Sequence, residues 1–405
     1  MPILEEAITR NNRLGPRSKF LIIVFFILNA AFLPPPLLWI NFLSIFYFFK
    51  VLNSKSFFTL IGFILLLSMF SVIHFYNGVH TESYINSSLI YILVAYTTLA
   101  VRQYLLNNPI KFDQFYREMV KYNFILFTVG LILFYFEIPS KIFVVYSYGG
   151  DELPRMRGLM YEPSYYAFFL TPWIAYALFK NIQRKGSKSE LTYFIFLIIP
   201  FVSTASIGVL SALLLSLIIV GALRSISYLK LNRKIVFFTT TFVFILTILI
   251  LSYPQAILSR AGSILSGEDG SANQRTIQSL DVSYQIMKEK STLFGIGSGQ
   301  IKITGKDIFN NYFNYQEYNV PRIPNAVGET MTTFGFVGLA IRLIIELFIF
   351  VRFKVYNNNY LLTVFLFLFI YQFTGSFITS TIEYVFWALI TTPVFREFNS
   401  GVKKI

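Results

Sequence analysis

The chain alternates long apolar stretches with short polar ones, which is the pattern of a polytopic membrane protein. A bilayer core of about 30 Å needs roughly 20 apolar residues in a helix. Candidate spans lie near 20–33, 36–52, 57–76, 85–101, 122–138, 164–180, 191–203, 206–223, 235–252, 330–351, 360–378 and 383–395. Pro34-Pro35-Pro36 separates the first two by a tight break. The stretch 191–223 reads either as one bent helix or as two short ones.

The basic residues sort the loops into two sets. One set holds Arg10, Arg13, Arg17 and Lys19; Lys50 and Lys55; Arg102, Lys111, Arg117 and Lys121. It continues with Lys180, Arg184, Lys185 and Lys188; Arg224, Lys230, Arg233 and Lys234; Arg352 and Lys354; and Arg396, Lys403 and Lys404. Every second loop is basic, which predicts that those loops and both termini are cytoplasmic. The alternation favours dividing 191–223 into two spans. The expected fold is therefore an all-α integral membrane protein with about twelve transmembrane helices, embedded in a bacterial inner membrane.

The opposite loops are mostly short, with two exceptions at about 138–163 and 253–329. Loops that long are commonly functional or disordered. In the second, Ile277, Leu280, Tyr284 and Met287 recur at helical spacing, which predicts an amphipathic helix from Asn273 to Ser291. Asn273 would be its N-cap, with Arg275 in its first turn. The chain thus divides into spans one to nine over 1–252, the long outer loop over 253–329, and spans ten to twelve over 330–405.

Composition sharpens this picture. The chain is 55% hydrophobic and 13% charged, about half the charge of an ordinary soluble domain. Its net charge of +14 follows from the basic cytoplasmic loops and implies no nucleic-acid partner. Polar residues from Met1 to Lys19 argue against a cleavable signal peptide. There is no cysteine, and the two histidines, His74 and His80, lack metal-ligand spacing. They read as interfacial or loop residues at the outer end of the third span. Phe294-Gly-Ile-Gly-Ser-Gly299 superficially resembles a dinucleotide fingerprint, but no strand precedes it in a βαβ unit. No metal and no cofactor is expected.

What remains is a set of charges on the outer face. The first long loop ends Arg155-Met-Arg157-Gly-Leu-Met-Tyr-Glu162-Pro163, where the proline suits the first turn of a helix. Glu162 could simply cap that helix beside snorkelling arginines. The second loop supplies Arg260, Arg275 and Arg322, and Glu329 opens the next span. Guanidinium groups grip phosphate oxygens bidentately and stay charged, so an arginine-lined outer cleft suits a lipid pyrophosphate. Such clusters also bind anionic headgroups for anchoring alone.

The order of motifs carries a resemblance. R-x-x-G-L-x-x-E-P-S from Arg155 is followed by S-x-x-S-x-G from Ser203 and then by the long outer loop. Arg275 then stands about 20 residues before Gly295-Ile-Gly-Ser-Gly299, and P-N-x-x-x-E with G-F-x-G-L runs from Pro324 to Leu339. This arrangement resembles the Wzy-type O-antigen and exopolysaccharide polymerases, which are related to the O-antigen ligases. Ser259-Arg-Ala-Gly262 and the late stretch from Thr374 to Phe386 are similar to colanic-acid-type polymerases.

The resemblance implies a GT-C-like glycosyltransferase acting at the periplasmic face. It would move a growing glycan from undecaprenyl pyrophosphate to a hydroxyl of the next lipid-linked repeat unit. Its partners would be that lipid-linked oligosaccharide, membrane lipids and a chain-length regulator protein. The ligase relatives carry a histidine where this chain has Pro324, and an arginine that is missing from Ser203-Thr-Ala-Ser206. The base must then lie elsewhere. Without a histidine, an interfacial carboxylate is the natural proton acceptor, Glu162 first and Glu329 second. Arg275 and Arg157 would clamp the pyrophosphate, with Arg155, Arg260 and Arg322 in reserve and Asn325 as a ligand contact. The competing readings are an O-antigen ligase-type transferase, a flippase or transporter, and a scaffold. A transporter needs charge at the bilayer midplane, whereas in-span charge here is nearly confined to Arg342 and Glu346, spaced as a self-satisfied pair.

Overall fold

A computed structural model describes residue 41 and residues 56–107, 112–136, 143–146, 154–183, 188–225, 270–313 and 322–399. The spans expected near 20–33, 36–52 and 235–252, and Arg260, lie outside the described residues apart from Asn41. Described helices are α1 (Ser56–Tyr76), α2 (Thr81–Asn107), α3 (Phe112–Tyr135), α4 (Pro163–Gln183), α5 (Lys188–Ser203) and α6 (Ile207–Ser225). Beyond the long loop come α7 (Gly270–Arg275), α8 (Ile277–Lys288), α9 (Lys306–Phe313), α10 (Ala326–Arg352), α11 (Asn359–Tyr371) and α12 (Thr381–Ile390).

Among these, α1, α2, α3, α6 and α10 contain stretches long and apolar enough to cross a membrane, and the chain is a membrane protein of mostly helical structure. In α1 the division between lipid and protein is visible along the helix. Leu60, Leu67, Phe70 and His74 are buried, while Phe58, Leu65, Met69 and Val72 point outward. A helix is apolar all round only when it lies inside a bundle or a bilayer. Helix α4 is the inside case, with every residue from Tyr166 to Asn181 buried. Its Trp173 and Tyr176 pack with Phe112, Tyr360 and Phe395, and Phe168 packs with Phe367 and Phe386. At about 1.5 Å per residue, the 21 residues of α4 are about as long as a bilayer core is thick.

The structure revises several boundaries. The 191–223 stretch is two helices, split at Thr204–Ser206, where Ala205 adopts φ 46°. Spans expected at 360–378 and 383–395 are shorter, 13 and 10 residues long. The first of them ends at Tyr371, and the chain between them includes Ser376 at φ 63°. In the first outer loop, Val144–Tyr146 and Pro154–Met156 form an antiparallel pair, three residues each and too short to show a period of two.

The expected helix 273–291 is broken in two. Thr276, with φ −111° and ψ −96°, separates α7 from α8. Asn273 is therefore not an N-cap, and Arg275 closes a short helix rather than opening a long one. The buried face of α8 is Ser279, Val282, Ser283, Ile286 and Met287, whereas Ile277 is 74% exposed. Two serines carry that face against α10, so hydropathy alone misplaces it.

Helix α10 is kinked at Gly335, φ 67°. A break inside a membrane frees backbone groups that water cannot satisfy, and the Thr292–Gly297 loop takes them. Ile296 and Gly297 donate to the carbonyls of Thr332 and Thr333 at 2.9 and 3.0 Å, while Phe336 and Val337 donate to Thr292 and Leu293 at 3.1 and 3.0 Å. A Cβ on Gly295 would lie 2.5 Å from the Thr333 carbonyl. The glycine-rich segment thus serves close backbone packing. His74, fully buried rather than interfacial, closes the same corner by bonding Tyr84 Oη at 3.0 Å and the Phe294 carbonyl at 2.7 Å.

Candidate functional site

Four segments distant in sequence converge on one cleft of about 70 Å³, room for several waters. Glu162, Tyr165 and Phe168 enter from the start of α4, and Arg275 from the end of α7. Pro324 precedes α10, and Tyr371, Gly375, Ser376, Phe377 and Ser380 form the α11–α12 turn.

Each element has a local cause. Pro163 fixes the first helical φ of α4 and has no N–H to waste, so Glu162 is held at the helix entrance with its carbonyl accepting from Tyr166 N at 3.2 Å. Glu162 is exposed, and its Oε1 accepts from Ser164 Oγ at 2.6 Å. Arg275 is half-buried, and among the described residues its guanidinium has neither a carboxylate nor a hydrogen-bond partner. Its own carbonyl accepts from Asn325 Nδ2 at 2.6 Å. Asn325 Oδ1 meanwhile caps α10 by accepting from Gly328 N at 2.6 Å. That fully buried amide is committed on both sides, as a brace between Arg275 and α10.

Arg322 lies at the rim, its guanidinium carbon 3.4 Å from the centroid of the Phe377 ring. This cation–π contact leaves its donors open, and no described residue accepts from them. Glu329, in the first turn of α10, points to the α11–α12 turn, where Oε2 accepts from Ile378 N at 2.8 Å. The Tyr371 hydroxyl is in electrostatic reach of Arg275 and Glu162 together.

Arg155 and Arg157 are placed elsewhere. Arg155 Nε donates to the Thr204 carbonyl at 2.9 Å, tying the strand pair to the α5–α6 turn. Arg157 Nη1 donates to the Tyr161 carbonyl at 3.0 Å, bracing the turn before Glu162. Burial pulls the pKa of the Arg157 guanidinium down from its ordinary value, yet the group remains a cation near neutral pH.

Behind the cleft lies a buried charge network that the spacing of Arg342 and Glu346 only half revealed. Those two do meet, at 3.1 Å, but the pair is not self-contained. Arg342 also reaches Glu383 at 2.7 Å and Gln372 at 2.8 Å, while Gln372 donates to Glu346 at 2.9 Å. Glu383 in turn accepts from Ser376. Glu383, Gln372, Tyr165, Tyr371, Ser376 and Ser380 were not singled out from sequence. For Glu383 a signal existed, because an ionisable residue inside an apolar span marks a functional site by default.

At the other end of α4, Lys180 meets Asp113 at 2.8 Å, and Arg117 bridges Asp113 and the buried Glu190. Among the described residues, no group of three histidine or carboxylate side chains could hold a metal ion. No protein-family model matches this chain, and no curated protein sequence is significantly similar to it.

Proposed function

We propose that this chain is a polysaccharide polymerase of the bacterial inner membrane, transferring a growing glycan from undecaprenyl pyrophosphate to a hydroxyl of the next lipid-linked repeat unit. The observation that carries this reading is one cleft holding an exposed carboxylate, Glu162, and a guanidinium, Arg275, that is unpaired among the described residues. Arginines fixed in a fold are normally paired. One that lines a cleft with no acid bonded to it among the described residues is available to an anionic ligand.

The chemistry follows from those two groups. The acceptor O–H loses its proton to Glu162 as its oxygen attacks the anomeric carbon, and the bond from that carbon to the pyrophosphate oxygen breaks. Negative charge accumulates on the leaving group, where Arg275 and Arg322 stabilise it. Proton transfer of this kind contributes about 10²–10⁴-fold, and positioned cations on the leaving group a comparable factor. Asn325 and Arg157 act through position, the first on Arg275 and the second on the turn before Glu162.

In this reading the basic loops, with Lys180 and Arg117, face the cytoplasm, both termini lie there, and the cleft faces the periplasm. The about twelve-helix, GT-C-like frame, a chain-length regulator as partner and independence from metals and cofactors belong to the same proposal. Deletion of the gene tests it. Surface glycan should fall from long chains to single repeat units. Loss of every externally exposed repeat would point instead to a flippase, and unchanged chain length to neither.

A further inference from the structure

We propose that the cleft divides its substrate by hydrogen-bond direction, with Ser376 accepting a sugar hydroxyl while Arg275 and Arg322 take the anion. The proposal rests on the transferase reading and names which part of the substrate each group takes.

The argument is one of hydrogen-bond direction. Ser376 lines the cleft, 7% exposed, at φ 63°, where an L-residue other than glycine is strained. The strain is offset by its hydroxyl, which donates to Glu383 Oε2. The other carboxylate oxygen is fixed by Arg342 Nη2 at 2.7 Å. A carboxylate in contact with a guanidinium accepts and does not donate, so the Ser376 proton is committed to Glu383. Ser376 can then offer the cleft only its lone pairs.

A group that can only accept repels phosphate oxygens and welcomes an O–H. Glu162, at the same cleft, is an acceptor by the same rule. Arg275 and Arg322 offer only donors and positive charge. Sugar hydroxyls therefore belong at Ser376 and Glu162, and the pyrophosphate at Arg275 and Arg322. Arg342 and Glu383 are positioning residues that set the direction of the Ser376 hydroxyl. This also accounts for a charged cluster buried in an apolar helix, where desolvation costs several kcal/mol per ion.

The test uses the full-length protein in nanodiscs and two probes. One is geranyl pyrophosphate; the other is the free repeat-unit glycan released by mild acid from a strain lacking the gene. Ser376→Ala is expected to weaken glycan binding roughly ten-fold, the worth of about one hydrogen bond, with pyrophosphate binding unchanged within two-fold. Glu383→Gln should move the same ratio in the same direction. Arg275→Ala should do the reverse. Ser376→Gly removes the hydroxyl while relieving the backbone, so the same ratio with a wild-type melting temperature excludes a folding effect. Equal loss of both ligands, or no loss of glycan, overturns the division. Wild-type protein that binds pyrophosphate but no glycan overturns the hydroxyl-accepting role and spares the proposed function. Binding of neither probe overturns both.

Discussion

Asn325 Nδ2 donates to the backbone carbonyl of Arg275 at 2.6 Å, across 50 residues of sequence. The same side chain caps α10 through Oδ1, so one buried amide fixes both the start of a membrane helix and the last residue of a loop helix. Asn325→Ala is expected to lose about 0.5–2 kcal/mol from the cap and to free Arg275. Asn325→Asp keeps the cap but removes the donor. It should therefore retain thermal stability more nearly than alanine while polymer yield falls as far, and a fully active Asn325→Asp protein would dissociate the brace from function.

Arg275 itself is separable from stability because its guanidinium anchors nothing among the described residues. Arg275→Lys keeps the charge and loses the planar fork, so chain length should collapse at normal protein abundance. Full polymerisation with lysine would reduce the role to simple electrostatics. No helix N-terminus adds to its charge, since Arg275 ends its helix.

The leaving-group charge is assigned to Arg275 and Arg322, not to a cation, so activity of the purified protein should survive chelation. Rescue by added Mg²⁺ after chelator treatment would contradict that assignment.

How much of this was legible in the sequence depends on the range of the interaction. The membrane class and the α4 entrance at Pro163 follow from local composition, whereas 191–223 was open locally and only the alternation of basic loops favoured the two helices the structure has. The breaks at Thr276 and before Ser376 carry no turn signature and were read through as helix. The serine-rich buried face of α8 defeats a hydropathy rule because its partner α10 supplies the packing. The convergence of Glu162, Arg275 and the 375–380 turn is a property of tertiary contacts more than 100 residues apart. Motif order suggested two of its members without their geometry. Arg155 and Arg157 show the opposite case, since charge in the right loop identified them, but backbone carbonyls accept from Arg155 Nε and Arg157 Nη1.

The glycine-rich loop offers a test of fold rather than of chemistry. Gly295 has φ 76°, and a Cβ there would lie 2.5 Å from the Thr333 carbonyl. Gly295→Ala should cost about 1–3 kcal/mol from the backbone alone, plus the four hydrogen bonds that seal the α10 kink. The expected readout is a lowered melting temperature and reduced membrane abundance. Normal abundance with lost polymer would instead make the loop part of the site.

The last prediction separates the two carboxylates by what each holds. Glu329 Oε2 accepts from a backbone N–H, that of Ile378, and glutamine retains an acceptor oxygen of the same reach. Glu329→Gln should therefore be mild, whereas Glu329→Leu should leave the Ile378 N–H unsatisfied and disturb the turn carrying Ser376 and Phe377. Glu162 holds only Ser164 among the described residues and is exposed. Glu162→Gln preserves that bond but cannot take a proton, so polymer should disappear while membrane insertion and abundance stay normal. If Glu162 only stabilised the entrance of α4, the glutamine variant, which keeps the Ser164 bond, would leave both abundance and chain length normal. A well-expressed Glu162→Gln strain with wild-type chain lengths would remove Glu162 as the base. The outcome to measure is chain-length distribution at matched protein level, because abundance and proton transfer change it in different ways.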